Sequence, residues 1–319
     1  MTRELLLLRH GKSDWDSGAD DFDRPLKDRG KRGAQRIGVW LAQQNLTPDL
    51  VVASPAERAL VTAQKTCKAM GNGDEGIQRD NRIYAAEIDD LLAVLGDCPQ
   101  AAARVMLVGH NPGLEELLVW LANEVVPVPE DGKLLPTATL ARLQMPADWC
   151  ALVAGCAQLD SITRAGTLPK KFPYPTPDGK ERRDRPAYYY TQSSVIPYRV
   201  RDGKVEILVI ASSKKHHLVV PKGIRDPGLS PRESAAREAL EEAGIEGEVA
   251  ETALGSYSCE KWGATCSVAV YPMKVTRVIA EEEWQENHRG RQWVSPEKAI
   301  RELQQKELGP LVEKLAAML

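Results

Sequence analysis

The sequence predicts an α/β protein of two domains, and three observations carry that prediction. Over the first half, short apolar runs at Glu4–Arg9, Leu50–Ala53 and Val105–Val108 alternate with helical patterns, as in a sheet covered by helices on both faces. Near Asp160 the alternation stops, and Arg164 to Ala187 holds five prolines with seven basic residues against three acidic ones. Longer strand patterns then appear at Gln192–Val200, Val205–Ala211 and Thr265–Val275, around one loop and helix and before a closing helix from Pro296. That order fits an α/β/α sandwich with a mixed sheet. A chain of 319 residues has room for both cores. The expected division is 1–163, a linker over 164–187, and 188–319.

In the first half, each apolar run ends in polar residues where α/β sheets carry their sites. Arg9-His10-Gly11 follows the first, Ser54 leading to Arg58 the second, and Gly109-His110-Asn111 the third. A single histidine after an apolar strand is ordinarily a hydrogen-bonded structural residue. Two histidines with two arginines are what phosphoryl chemistry needs: planar guanidinium forks for the oxygens and a neutral imidazole as nucleophile. Ser54-Pro55-Ala56-Glu57 has the capping-box spacing and puts Arg58 in a helix's first turn. Glu87, with Asp89 and Asp90 behind it, is either a catalytic acid or the exposed first turn of the next helix. Arg24-Pro25-Leu26, before a long helix, reads chiefly as a loop closure. The proline-rich stretch reads as a linker; the alternative lines Lys170, Lys171, Arg182, Arg183 and Arg185 along a path for polyphosphate. Tyr188–Tyr190 are expected to dock that stretch on the second domain.

In the second half, Arg201-Asp202-Gly203-Lys204 is a hairpin signal. Ser230, Pro231 and Glu233 mark a helix start, and Gly244 its end. Within that helix Glu238, Glu241 and Glu242 share a face at i, i+3, i+4. Such carboxylates repel one another unless a cation lies between them, and hard oxygen donors suit Mg²⁺ or Mn²⁺ and a phosphate-bearing substrate. The plainer reading is a solvated acidic face with Arg237 and Glu241 as an i, i+4 pair. Lys222 and Arg225 flank Gly223 as phosphate-facing candidates, and Lys214, Lys215, His216 and His217 form a basic loop. Glu281, Glu282, Glu283 and Glu286 read as a solvated run with a metal ligand or general base as the alternative.

A formal net charge of −3 gives no reason to expect a nucleic-acid or membrane partner. Four leucines after Glu4 are too few for a signal peptide or membrane span, so a cytoplasmic protein is expected. Six cysteines without C-x-x-C spacing read as reduced thiols.

The motifs RHG at Arg9–Gly11, S-P-x-x-R-A-x-x-T-A at Ser54–Ala63 and GHNPG at Gly109–Gly113 resemble the histidine phosphatase superfamily, and RHGKSDW most resembles its SixA branch. That resemblance implies a three-layer domain with a mostly parallel sheet. It also implies His10 as the phosphoryl acceptor, with Arg9, Arg58 and His110 around the phosphate; Glu87 is nearest to the acid that ester-cleaving members add.

Gly223, Arg237, Glu238, Glu241, Glu242, Gly244 and Ile245 fall at the spacing of the Nudix box, with Leu229 where the family has its first glutamate. The second domain thus resembles the Nudix hydrolases. The resemblance implies Mg²⁺ (or Mn²⁺) on Glu238, Glu241, Glu242 and the Gly223 carbonyl, Glu241 also serving catalysis and Arg237 orienting the glutamates. The segment from Lys261 to Val275, with Trp284–Glu286 and RGRQWVSPEKAI, is similar to the Nudix subgroup acting on dinucleoside and diphosphoinositol polyphosphates. Together these imply a bifunctional phosphohydrolase whose small-molecule substrate is a nucleoside or dinucleoside polyphosphate. The alternative is a phosphatase of phosphohistidine proteins with the Nudix half as a nucleotide sensor.

Overall fold

The computed structural model describes residues 3–212 and 217–319. The chain divides into two compact units, Met1–Phe172 and Pro173–Leu319, so the boundary falls inside the proline-rich stretch.

The first unit runs β1 (Arg3–Arg9), α1 (Asp28–Gln43), β2 (Leu50–Ala53), α2 (Glu57–Met70), β3 (Ile77–Arg79), α3 (Ile88–Gly96), β4 (Arg104–Gly109), α4 (Gly113–Leu121), β5 (Thr139–Met145) and β6 (Gln158–Arg164). Its sheet has the order β3-β2-β4-β1-β5-β6. The first four strands are parallel, while β5 and β6 are antiparallel at one edge. The unbroken leucines of β1 follow from burial on both faces. Leu5 and Leu7 pack with Leu91, Leu114 and Leu117 of α3 and α4. Leu6 and Leu8 pack with Ile37, Leu41 and Ala63 of α1 and α2. Each of these leucines is fully buried, worth about 1.5–3 kcal/mol against leaving it exposed. Because β2, β4 and β1 are adjacent and parallel, their C-terminal ends lie along one rim, and the three motif segments meet there.

The expected linker is largely folded. Arg164 ends β6, and Leu168 packs on the first core. β7 (Phe172–Pro173) and β8 (Arg182–Arg183) then pair as a two-stranded hairpin. Proline limits these strands to two residues, and stacking holds the segment: the Arg183 guanidinium lies 3.2 Å from the Tyr174 ring centroid and 4.5 Å from that of Tyr190. Arg183 also pairs with Glu181 at 2.5 Å, so it is engaged here rather than lining a phosphate path. Tyr190 docks as expected, buried with its hydroxyl accepting from Arg185 N–H at 3.2 Å.

The second unit contains β9 (Thr191–Arg201), β10 (Lys204–Ala211), β11 (Leu218–Val219), β12 (Lys222–Ile224), α5 (Pro231–Ala243), β13 (Ile245–Val249), β14 (Gly255–Lys261), β15 (Ala264–Val278), β16 (Arg291–Val294), α6 (Pro296–Glu302) and α7 (Gly309–Met318). Its sheet is mixed: β9 and β15 are parallel, and the other pairings are antiparallel. Between β9 and β10, Asp202 and Gly203 have φ of 51° and 72°, which is the expected tight hairpin. α5 lays Ala235, Ala239 and Ala243 on Val195 and Leu208 of one face. Leu303, Leu308, Val312 and Leu315 cover the other. No helix among the described residues is long and apolar enough to cross a membrane.

Candidate active sites

At the rim of the first sheet, His10 and His110 are both buried, their ring centroids 5.1 Å apart. His10 Nδ1 lies 2.7 Å from the Gly11 carbonyl oxygen. A carbonyl only accepts, so Nδ1 carries the hydrogen and Nε2 keeps its lone pair, the form a nucleophile needs. Burial, with Arg58, Arg9 and Arg24 adding to it, pushes His10 down to about 4 despite the Gly11 bond. Burial, then His10 and Arg58, push His110 down to about 3. Both rings are therefore neutral at physiological pH.

Arg58 stands in the first turn of α2, as expected, but the helix begins differently. Ala56 is the N-cap, and no side chain caps it. Ser54 Oγ instead accepts from Ala56 N–H at 3.3 Å and meets His110 Nε2 at 2.9 Å, so the serine is spent on the site. Arg9 Nη1 donates to the Leu135 carbonyl at 2.6 Å. Arg24 joins these groups. Its backbone neighbours close a loop, with Leu26 bridged to Ser13 and Pro25 accepting from Asp14 N–H at 2.8 Å. Its buried side chain, however, acts on His10. Asp21 ties the outer ends of two arginines together: Arg58 Nη2 donates to Oδ2 at 2.9 Å, and Arg24 Nη2 pairs with Oδ1 at 2.7 Å. Tyr84 donates to Asp21 Oδ2 at 2.9 Å. The inner Nε of Arg9, Arg24 and Arg58 and the Nδ1 of His110 are all buried without a partner. Three guanidinium N–H donors and an imidazole nitrogen left open around one histidine suit a phosphoryl group.

Glu87 heads α3, its N–H held by Asp90 Oδ2 at 3.1 Å. It also lines a cleft of about 590 Å³ beside His110, Asn111 and Glu116.

These low histidine values set a pH expectation. The acid limb of kcat/KM for phosphoryl transfer, corrected for the substrate's own titration, should fall near pH 4 rather than 6.5. Stability follows the same groups. With both folded values below the unfolded 6.5, the unfolded chain protonates first, so unfolding free energy should drop as pH falls from 6.5 toward 3. Denaturant titrations across that range measure it.

In the second unit, α5 has the expected ends: Ser230 and Glu233 form the capping box, Pro231 is first in the helix, and Gly244 closes it at φ 57°. Arg291 reinforces the C-terminus, donating to the carbonyls of Ala243 at 3.1 Å and Gly244 at 2.9 Å. The Glu238 carboxylate lies against Gly223, where an added Cβ would meet Oε1 at 1.8 Å. Burial first, then Glu242, Glu241, Asp226 and Glu286, push Glu238 up to about 8. Burial also raises Glu242, against the Lys222 N–H at 3.0 Å and Arg289 at 2.8 Å. Glu241 is exposed, and its carbonyl accepts from Trp284 Nε1 at 3.1 Å.

Arg237 pairs with Asp226 at 3.0 Å, so the loop carrying Leu229 still supplies that arginine with a carboxylate. Lys222 Nζ donates to Gln192 Oε1 at 3.3 Å, and Arg225 is exposed. Glu286 comes to the cluster through Arg289, which bridges it at 2.5 Å to Glu242; Glu281, Glu282 and Glu283 are exposed. Lys214, Lys215 and His216 lie outside the described residues, and His217 is exposed.

In kind, these donors fit a hard divalent cation: carboxylates crowded enough to hold one proton near neutrality, in a cradle that a Cβ would fill. They are not gathered into a formed site, since no group of three His, Cys, Asp or Glu among the described residues stands close enough to hold an ion. Gly223→Ala tests the cradle. The displaced atoms end a flexible side chain, so the melting temperature should shift by only about 2–4 °C. Metal-dependent turnover should fall roughly 10²-fold as Glu238 is pushed aside.

Comparison with known proteins agrees with this division. The family model for the histidine phosphatase superfamily (branch 1) matches residues 5–84, and that for the NUDIX domain matches residues 190–315. Nudix hydrolase 17, mitochondrial, of Arabidopsis thaliana is 40% identical over 136 residues, 38% of this chain and 73% of that protein. An uncharacterised protein of Mycobacterium tuberculosis is 29% identical over 156 residues, 48% of this chain and 96% of its own. A structure described as a candidate SixA phosphohistidine phosphatase from Nakamurella multipartitia is 26% identical, covering 51% of this chain and 96% of that one, with a TM-score of 0.44.

Proposed function

Because the chain belongs to the Nudix family in its second half and matches the histidine phosphatase model over residues 5–84 of its first, we propose that this two-part hydrolase works at two chemically distinct sites. In the first, His10 takes a phosphoryl group on Nε2. Arg9, Arg24 and Arg58 hold the oxygens, and His110 stabilises the charge that develops on them. Water then cleaves the phosphohistidine. The observation that carries this reading is the set of unpartnered buried nitrogens around a histidine whose bond to Gly11 leaves Nε2 basic.

In the second, Glu238, Glu241 and Glu242 with the Gly223 carbonyl would hold Mg²⁺ or Mn²⁺, which when bound supplies charge neutralisation and an acidified water. Lys222 and Arg225 face the substrate's phosphates, and a phosphoanhydride of a nucleoside or dinucleoside polyphosphate is the bond cleaved. The substrate class rests on analogy, through the resemblance of the Lys261–Val275 and Trp284–Glu286 segments to the Nudix subgroup acting on dinucleoside and diphosphoinositol polyphosphates. Arg289 already neutralises Glu242; that favours a second reading, in which this half senses a nucleotide without cleaving it. Diadenosine polyphosphate with His10→Ala protein separates the two: Mg²⁺-dependent turnover supports hydrolysis, whereas binding without turnover at any Mg²⁺ or Mn²⁺ level supports sensing.

A further inference from the structure

The cleft of about 590 Å³ beside His110 carries Glu87, Asp89 and Glu116, and none of the described residues lining it is a lysine or arginine. His10 is surrounded by the opposite sign, from Arg9, Arg24 and Arg58. The two rings lie 5.1 Å apart between these regions. His110 is nine-tenths buried and lines the cleft with an unpartnered Nδ1, and Asn111 beside it has an unpartnered Oδ1. The carboxylates belong to the starts of α3 and α4, where free N–H groups favour them.

Through His110, 5.1 Å from the His10 ring, this cleft adjoins the arginine cluster, and the rest of a substrate whose phosphoryl group sits on the arginines would extend into it. As the bond from His10 nitrogen to phosphorus forms, the bond from phosphorus to the carrier breaks, and its electron pair leaves with the carrier. Water then attacks the phosphohistidine: its oxygen bonds to phosphorus as the N–P bond breaks and returns the lone pair to His10, one of its protons passes to solvent, and phosphate is released. The negative charge developing on the leaving atom falls within the field of three carboxylates. A carrier with its own positive charge offsets that field, and one with a carboxylate or further phosphates adds to it.

We propose that Glu87, Asp89 and Glu116 select the leaving group of the phosphatase half by charge, admitting cationic or neutral carriers and repelling anionic ones. The two halves therefore do not work in series: the anionic products of polyphosphate cleavage are poor substrates for the first half. This rests on the phosphatase reading of His10.

The test uses the full-length protein at low ionic strength, where surface charge is least screened. The probes are three aryl phosphates matched in leaving-group pKa, bearing an ammonium, no charge or a carboxylate. The expected kcat/KM falls in that order, about tenfold across the series, and the order flattens or inverts in an Asp89→Lys/Glu116→Lys protein. If the carboxylate-bearing ester is cleaved as well as the ammonium one, or the double variant keeps the wild-type order, the inference is overturned while the phosphatase reading stands. Cleavage of none of the three overturns the phosphatase reading and the inference together.

Discussion

Replacing His10 with alanine is expected to cut aryl phosphate hydrolysis by about 10⁴-fold and to leave metal-dependent anhydride hydrolysis by the same protein unchanged. The His10 imidazole has a basic Nε2 fixed by its own hydrogen bond, Nδ1 being committed to Gly11. The arginines cannot substitute, since a guanidinium offers donors and no lone pair. His110 is the nearest other imidazole, its Nε2 engaged with Ser54, and its part in this account is to stabilise the charge on the phosphoryl oxygens. Removing a buried ring leaves a cavity, so a thermal melt belongs with the assay, and His10→Gln, which keeps polarity and most of the volume, should be equally inactive. Rapid-quench trapping of an acid-labile phosphoenzyme in wild type but in neither variant checks the covalent step directly.

Glu242→Gln is expected to reduce anhydride cleavage roughly 10³-fold, the several kcal/mol that a divalent ion and its activated water supply, while aryl phosphate turnover keeps its wild-type rate. Glutamine preserves shape and can still accept from the Lys222 N–H, but it removes one charge from the cluster. The same change should remove one of the neighbours that hold Glu238 high. Its carboxyl titration, followed by NMR in metal-free protein, should then move down from about 8 as the loss of activity appears. A drop in turnover without that movement would point to a role for Glu242 outside the carboxylate cluster.

Much of this was legible in the chain. The strand ends could be placed because a run buried on both faces must be continuously apolar, and the α5 helix because its cap residues have few other uses. What escaped was contact at long sequence separation. Asp21 sits among exposed aspartates and looks solvated, yet it joins Arg58, 37 residues away. Arg24 closes a loop and also faces His10, and sequence can show only the first role. Ser54 had the spacing of a helix cap, but His110 claimed its hydroxyl. β5 and β6 are hidden in the sequence because Arg142 and Gln144 interrupt the apolar pattern of β5, and β6, the edge strand, is only partly buried and carries Asp160. The proline-rich stretch was held together by arginine–tyrosine stacking, which composition does not reveal. In the second site Arg289, 47 residues from Glu242, could not be foreseen as its partner.

The central claim, that the glutamates of α5 serve a cation held against phosphates, is tested most directly by titrating Mg²⁺ into His10→Ala protein with diadenosine tetraphosphate and following product. Turnover should be absent in chelator, rise to saturation with Mg²⁺, and fall away when Glu238 or Glu242 is made glutamine. Saturable binding of the nucleotide with no product at any Mg²⁺ or Mn²⁺ concentration would contradict it.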